Sequence, residues 1–431
     1  MNDLAASIPE VLAQHVEEAA DLRRLRSTLV RMPRVRLTDL ARLDERIAAH
    51  LDGVAASGAA GAALAKQAVF ERPGLGEIFV ATVHAIEVQD TPLLRQLLAI
   101  SQTLLPARSG LLSALGWVSA GDLRGTARSL LDDPEPWLRE AGLAACAMHQ
   151  ADPGAALVQA LHDPEPGLRV RALRIAGQLG RRDLLSDCRV ALADPDARCV
   201  REAARAAVLL GDRSDALSVL QSIATPADAL EPGFAAWRVL LGALPVAHAR
   251  SVLAVPARDL LGVRAAIHGI TVVGDPHFVP WLIARMNDSA VARLAGDAFS
   301  SITGVDIAAD GLECKPLLRP RSDPDAIDDD APEPTEGDAG QVGEDDDLPW
   351  PDPGKVAAWW QSHASRFEPG RRYLMGQEPS ASVCAAVLHE GTQRQRCAAA
   401  ERLALLAPGT PLFNVAAPSW RQTQWLAKIV A

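Results

Sequence analysis

DPEPGLRVRALRIAGQLG, Asp163 to Gly180, is the stretch on which the fold turns. Within it Leu168, Ala172, Ile175, Ala176 and Leu179 recur at i, i+4, i+7, i+8 and i+11, the spacing of one face of an α-helix. Asp163-Pro164 ahead of them should end one helix and start the next, because proline has no N–H to give and suits a helix's first turn. The same design recurs 30 residues upstream and 31 downstream. From Asp122 the chain reads DLRGTARSLLDDPEPWLREAGLAACAMHQ; from Asp152, DPGAALVQALHDPEPGLRVRALRIAGQLG; from Asp183, DLLSDCRVALADPDARCVREAARAAVLLG.

Each unit parses as two helices. Asp122, Asp152 and Asp183 are expected as N-caps of the first helix, and Asp133-Pro134, Asp163-Pro164 and Asp194-Pro195 as the break before the second. The second helices carry matching stripes, Leu138, Gly142, Ala145 and Cys146 in one unit and Cys199, Ala203, Ala206, Ala207 and Leu210 in another. Such small side chains let helices approach closely. A helix pair of this length cannot bury its apolar face alone, so the units must stack.

Outward from this core the pattern loosens. Further units are read from Ser214, from Ala247 to Gly274 and from Phe278 to Thr303, with degenerate ones over Leu75–Val88 and Pro92–Val118. That makes roughly six or seven units. The expected architecture is all-α: an α-solenoid of helix pairs over 71–318, an N-terminal helical cap over 1–70, an acidic disordered linker over 319–349 and a small Trp-rich C-terminal helical module over 350–431.

Composition agrees with this class. The apolar share of 48% is ample for a core, and 4% aromatics with one tyrosine favours helix packing over sandwiches. Residues 322 to 347 hold 12 of the 54 acids and no Lys or Arg, so the remainder carries 42 acids against 43 bases. A duplex-binding surface needs a basic excess to neutralise phosphates, and a near-neutral body does not supply one globally. The six cysteines show no C-x-x-C pair, which predicts reduced, buried thiols. Met1 to Ile8 reads as neither a leader nor an anchor, and no apolar run is long enough to span a bilayer, so the expected location is the cytoplasm.

The DP-x-x-x-(V/L)-R-x-x-A pattern resembles the HEAT-like repeats named after phycobilin lyases, specifically over 122–211 and more loosely to about 305. The whole layout, with SITGVD at Ser301–Asp306, the acidic stretch and WPDPGKVAAWWQSHASRFEPGRRYLMGQ at Trp350–Gln377, resembles a family of uncharacterised bacterial HEAT-repeat proteins. Some of its members lie near type VI secretion genes. The resemblance implies a partner from that system, a component or an effector; separately, no cofactor is expected.

Three functional readings follow. The first is a non-enzymatic interaction scaffold or adaptor. The second is an enzyme or chromophore-handling protein on the same array. It is weakened because di-iron hydroxylases of this repeat type use repeated His-Glu pairs, and this chain has one, His389-Glu390. The third is nucleic-acid binding through Arg139, Arg169, Arg171, Arg174, Arg201 and Arg205. A structural role for such arginines is favoured, a ladder joining Asp133, Asp163 and Asp194 to Arg139, Arg169 and Arg201. His149 and His162 read as packing residues, and Cys188 and Cys199 as core. The densest aromatic-basic cluster is Trp359, Trp360, Arg371, Arg372 and Tyr373. Adjacent tryptophans on one helix are not expected to enter one core together, so one is an exposed anchor in the candidate partner-binding surface. Docking of the module on the array is the somewhat favoured reading of the same residues.

Overall fold

The computed structural model describes residues 9–223, 234–253, 260–314 and 345–430. Among these residues the chain forms 22 α-helices and no strand, an all-α solenoid of helix pairs. Eight second helices, Leu75–Glu87, Leu105–Trp117, Pro136–Met148, Pro166–Gln178, Ala197–Leu209, Phe234–Ala243, Leu260–Val273 and Ala292–Thr303, pack each on the next. Each is backed by a first helix: Gly58–Glu71, Thr91–Thr103, Ala120–Leu131, Ala155–Leu161, Leu185–Val190, Asp215–Ile223, Val246–Leu253 and Val279–Arg285. The row thus holds eight pairs and begins with Gly58–Glu71, a helix read from the sequence as part of the N-terminal cap. Most of the acidic stretch, 315–344, and residues 224–233 of the unit read from Ser214 lie outside the described residues.

The stripes named from the sequence are core. Leu168, Ala172, Ile175 and Ala176 are buried with Cys199, Ala203, Ala206, Ala207 and Leu210 in one continuous cluster. Gly177 sits against Ala206, where a Cβ would already crowd the neighbouring backbone, so small residues set how closely these helices approach.

The caps differ from expectation in register. The second helices start at Pro136 and Pro166, behind Glu135 and Glu165 as N-caps, two residues beyond the prolines of the Asp-Pro pairs. Each aspartate instead closes a turn: Asp133 Oδ1 accepts from Glu135 N at 2.9 Å, Asp163 Oδ1 from Glu165 N at 2.9 Å and Asp194 Oδ1 from Asp196 N at 2.8 Å. This side-chain turn competes with the helix and ends it. Asp122, Asp152 and Asp183 are not N-caps either. Ser119 caps the helix above Asp122, Gly154 precedes Ala155–Leu161, and Asp183 lies in a short 3-10 turn and pairs with Arg181 at 2.7 Å.

The ladder is real for two rungs. Arg139 Nη1 donates to the carbonyls of Asp133 and Pro134 at 3.1 and 2.7 Å, while its Nη2 reaches Asp163 of the next unit at 2.8 Å. Arg169 likewise donates to Asp163 and Pro164 and holds both carboxylate oxygens of Asp194 at 2.8 and 2.9 Å. The Arg169 bond keeps the Asp194 carboxyl below its ordinary range. Arg201 is not the third rung: the arginines stand six residues after the turn aspartate, and six after Asp194 comes Val200. Arg169→Ala should therefore cost about 1–2 kcal/mol, and Arg201→Ala no more than about 0.5, in urea unfolding above pH 4. Below the depressed pKa of Asp194 the difference should fade, because a protonated carboxyl no longer favours the pair. Equal losses in the two variants would refute this assignment.

Candidate interaction surface

The last 80 or so described residues do not stand apart from the stack. They run along the ends of the second helices, where the last turns leave carbonyls without helical partners. Gly180, Gly274 and Gly304 close three of these helices with φ of +67°, +66° and +80°, and each meets backbone of the C-terminal segment: Gly409, Tyr373 and Met375 respectively. At Gly180 and Gly274 any side chain would collide with that backbone as well as strain the turn. Tyr373 N donates to Gly274 O at 2.8 Å, Met375 N to Ser301 O at 2.8 Å and Leu412 N to Gln178 O at 2.7 Å.

Three arginines cap the same ends. Arg372 donates to the carbonyls of Leu241, Leu244, Val272 and Val273. Arg402 takes those of Gly242 and Val272, and Arg421 those of Gly116, Trp117 and Val118. Guanidinium is suited to this because its planar fork spreads several donors over one cluster of acceptors. Burial pushes the Arg372 group down to about 9, still cationic at neutral pH and matched to the negative end of the helices. The N-terminal helices join the same closure. Buried Arg26 pairs with fully buried Asp44 and donates to the carbonyls of Ala416 and Ala417, and Ser419 N donates to Asp44 at 2.7 Å. Trp117 and Trp420 meet edge to face at 4.6 Å.

Between the second helices and the C-terminal segment lies a cavity of about 360 Å³ lined by Gln150, Arg171, Gln178, Arg238, Cys397 and Glu401 among others. Its charges are matched in pairs, Arg171 to Glu140 at 2.8 Å and Arg238 to Glu401 at 2.8 Å. Arg174 similarly meets Glu202 at 2.6 Å. Of the six arginines weighed as a phosphate-binding groove, Arg139, Arg169, Arg171, Arg174 and Arg205 thus spend their charge on carboxylates of the chain. Burial pushes the Cys397 thiol up, away from the thiolate a nucleophile requires. Cys188 and Cys199 are pushed up to about 12 and about 11 by the same cause, and both sit in the core.

The five residues put forward for partner binding are brought together, but as a joint within the chain. Trp359 meets Phe299 at 5.6 Å and stacks on His363; Trp360 also faces Phe299, at 6.5 Å, and packs on Phe367. Both tryptophans therefore border the same core, contrary to expectation, because Phe299 protrudes between them. Arg372 and Tyr373 are used as described, and Arg371 alone is exposed, paired with Glu368 and Glu378. His149 Nε2 donates to Leu115 O at 2.8 Å, and His162 lies 3.2 Å from Asp187.

A second cluster went unnoticed in the sequence. Arg264, Arg293 and Arg394, from three helices, converge on the end of the acidic stretch. Arg264 pairs with Asp345, Arg293 Nη2 with Asp346 at 2.8 Å, and Arg394 with Asp297 at 2.9 Å, its other nitrogen 3.7 Å from Asp345. Arg34 N donates to Asp347 at 2.8 Å, and Arg293 lies over Trp350 at 4.9 Å. Burial and the charges of Arg394, Arg264 and Arg238 push His268 down to about 3. In the unfolded chain this imidazole titrates near 6.5, so between pH 6.5 and 3 the unfolded state binds the extra proton and stability falls as pH drops. Wild type should lose about 1–2 kcal/mol between pH 7 and 5 that His268→Gln does not lose. Parallel losses in both would refute the assignment.

Among the described residues no group of three or more His, Cys, Asp or Glu is placed to hold a metal ion, and no single helix is long and apolar enough to cross a membrane. With the geometry in hand, the fold is a solenoid of HEAT-like helix pairs, and residues 154–231 match the family model described as HEAT repeats. No curated protein and no solved structure matches the chain.

Proposed function

We propose that the protein is a non-enzymatic, cytoplasmic protein–protein interaction scaffold or adaptor. HEAT repeats commonly mediate contacts between proteins, since stacking short helix pairs yields a long surface without requiring a deep site. The observation that carries the reading is that this array already binds polypeptide: its own C-terminal segment lies along a row of helix ends, recognised by backbone hydrogen bonds and arginine caps. A surface that holds one segment of chain in cis is suited to hold another in trans.

The likeness of the whole layout to bacterial proteins found near type VI secretion genes supports a partner from such a system, a component or an effector. Crosslinking followed by co-purification of the tagged full chain from its native cells tests both parts. One stoichiometric protein partner crosslinked to the array is the expected result. Recovery of the protein alone, or with a small molecule or nucleic acid, would overturn the adaptor reading, and a partner unrelated to secretion would overturn only the narrower one.

A further inference from the structure

We infer that Arg264, Arg293 and Arg394 form a receptor for an acidic polypeptide segment, filled here by the chain's own Asp345–Asp347, and that a partner binds by presenting such a segment in their place. The inference rests on the adaptor reading and specifies the chemistry of the partner.

Arg264 and Arg293 come from Leu260–Val273 and Ala292–Thr303, neighbours in the stack, and Arg394 from Gln393–Leu406 of the C-terminal segment, which its pair with Asp297 ties to them. Asp297 meets Arg394, whereas Asp345 and Asp346, which pair with Arg264 and Arg293, belong to the incoming segment. The cluster is therefore built on rigid helices, while the ligand that completes it is a short turn of chain. Burial, with the nearby charges of Arg394, Arg264 and Arg238, keeps His268 neutral beside this cluster.

The seat is also imperfectly matched. Asp347 Oδ1 is buried without a hydrogen bond, and buried Asp345 Oδ1 has, among the described residues, only its 3.7 Å ion pair with Arg394, although each carboxylate is hydrogen-bonded through its other oxygen. Asp346 is half-exposed and its pair with Arg293 lies at the rim. Unmade bonds to buried charged oxygens lower the stability of the seated state, so a segment that satisfies them has a margin to displace it. Arg293 adds an aromatic contact, Trp350, three residues beyond Asp347, which gives the recognised sequence a form: two or three acids followed closely by a tryptophan. Carboxylates spaced along a peptide match guanidiniums at this separation, and an indole on the last of them adds a contact that a phosphate backbone lacks.

A tethered segment has an effective concentration of about the millimolar range, so a free peptide binds wild type only weakly. The test titrates fluorescein-labelled peptide 341–350 of this chain into the full-length protein and into the D345N/D346N/D347N variant. Neutralising the tethered acids should tighten peptide binding at least tenfold, and adding Arg293→Ala to that variant should reverse most of the gain. The same peptide with Asn and Gln in place of its acids should not bind. In wild type, millimolar peptide should speed hydrogen exchange of 345–350, a readout that does not depend on the variant folding.

Unchanged exchange in wild type, or equal affinity of wild type and a folded triple variant, would make Asp345–Asp347 a structural strap and overturn the proposal. Displacement of the peptide by oligo-dT at lower concentration than by unlabelled peptide would overturn it in favour of nucleic acid. Either failure leaves the adaptor reading intact if the crosslinking experiment still recovers a protein bound elsewhere on the stack.

Discussion

Replacing Asp44 with alanine should destabilise the protein by about 3–5 kcal/mol, the usual effect of leaving a buried charge without its partner. Asp44 is completely buried, and its two oxygens receive Arg26 and the Ser419 backbone N–H. Without it the Arg26 guanidinium keeps only the Ala416 and Ala417 carbonyls among these contacts, and an amide at the start of the last helix, Ser419–Val430, loses its acceptor. Asp44→Asn retains the shape and one acceptor and should lose less. Urea unfolding measures the loss, and limited proteolysis shows where it falls: cleavage near 415–430 should precede cleavage of the repeats. A loss below about 1 kcal/mol would mean that Arg26 finds solvent or another acceptor, and that this closure is not held by the pair.

Arg372→Ala should cost about 2–4 kcal/mol, because it strips a donor from four carbonyls at the ends of two helices. Its effect should differ in kind from that of Arg169→Ala. The repeat rung joins neighbours in sequence, whereas Arg372 joins Phe234–Ala243 and Leu260–Val273 to a segment about 100 residues later. Long arrays lose cooperativity when an internal contact fails, so the unfolding curve of Arg372→Ala should split into two transitions, the first releasing 370–430. Hydrogen exchange would show faster exchange there with the amides of 166–209 unchanged. A single transition with uniform exchange would show that Arg372 is one contact among many and not a fastening point.

Much of the stack was legible because it is built from local rules. The apolar positions of Asp163–Gly180 name the buried face of a helix, and the 30-residue spacing brings equivalent faces into register. Where the reading slipped, the information was often present. Val200 stands at the ladder position after Asp194, and the second proline of each DPEP, not the first, occupies the helix's first position. Trp359 and Trp360 were misjudged for another reason. Whether two adjacent side chains can share a core depends on the shape opposite, and Phe299 comes from a helix some 60 residues away.

The sequence by itself determined the helix pairs, the turns between them and the need for stacking, since all three depend on residues within about one repeat of each other. Only the tertiary structure decided what the buried arginines do. Arg26, Arg372 and Arg421 look alike in the chain, yet each caps or pairs with groups 18 to 391 positions away. No periodicity marks such a site, because a guanidinium's partners are fixed by where the folded backbone leaves carbonyls and carboxylates unmatched. The meeting of Arg264, Arg293 and Arg394 with Asp345–Asp347 is of the same kind. The acidic stretch was plain in the composition, and the seat that receives its last residues exists only once the stack and the C-terminal segment have closed on each other.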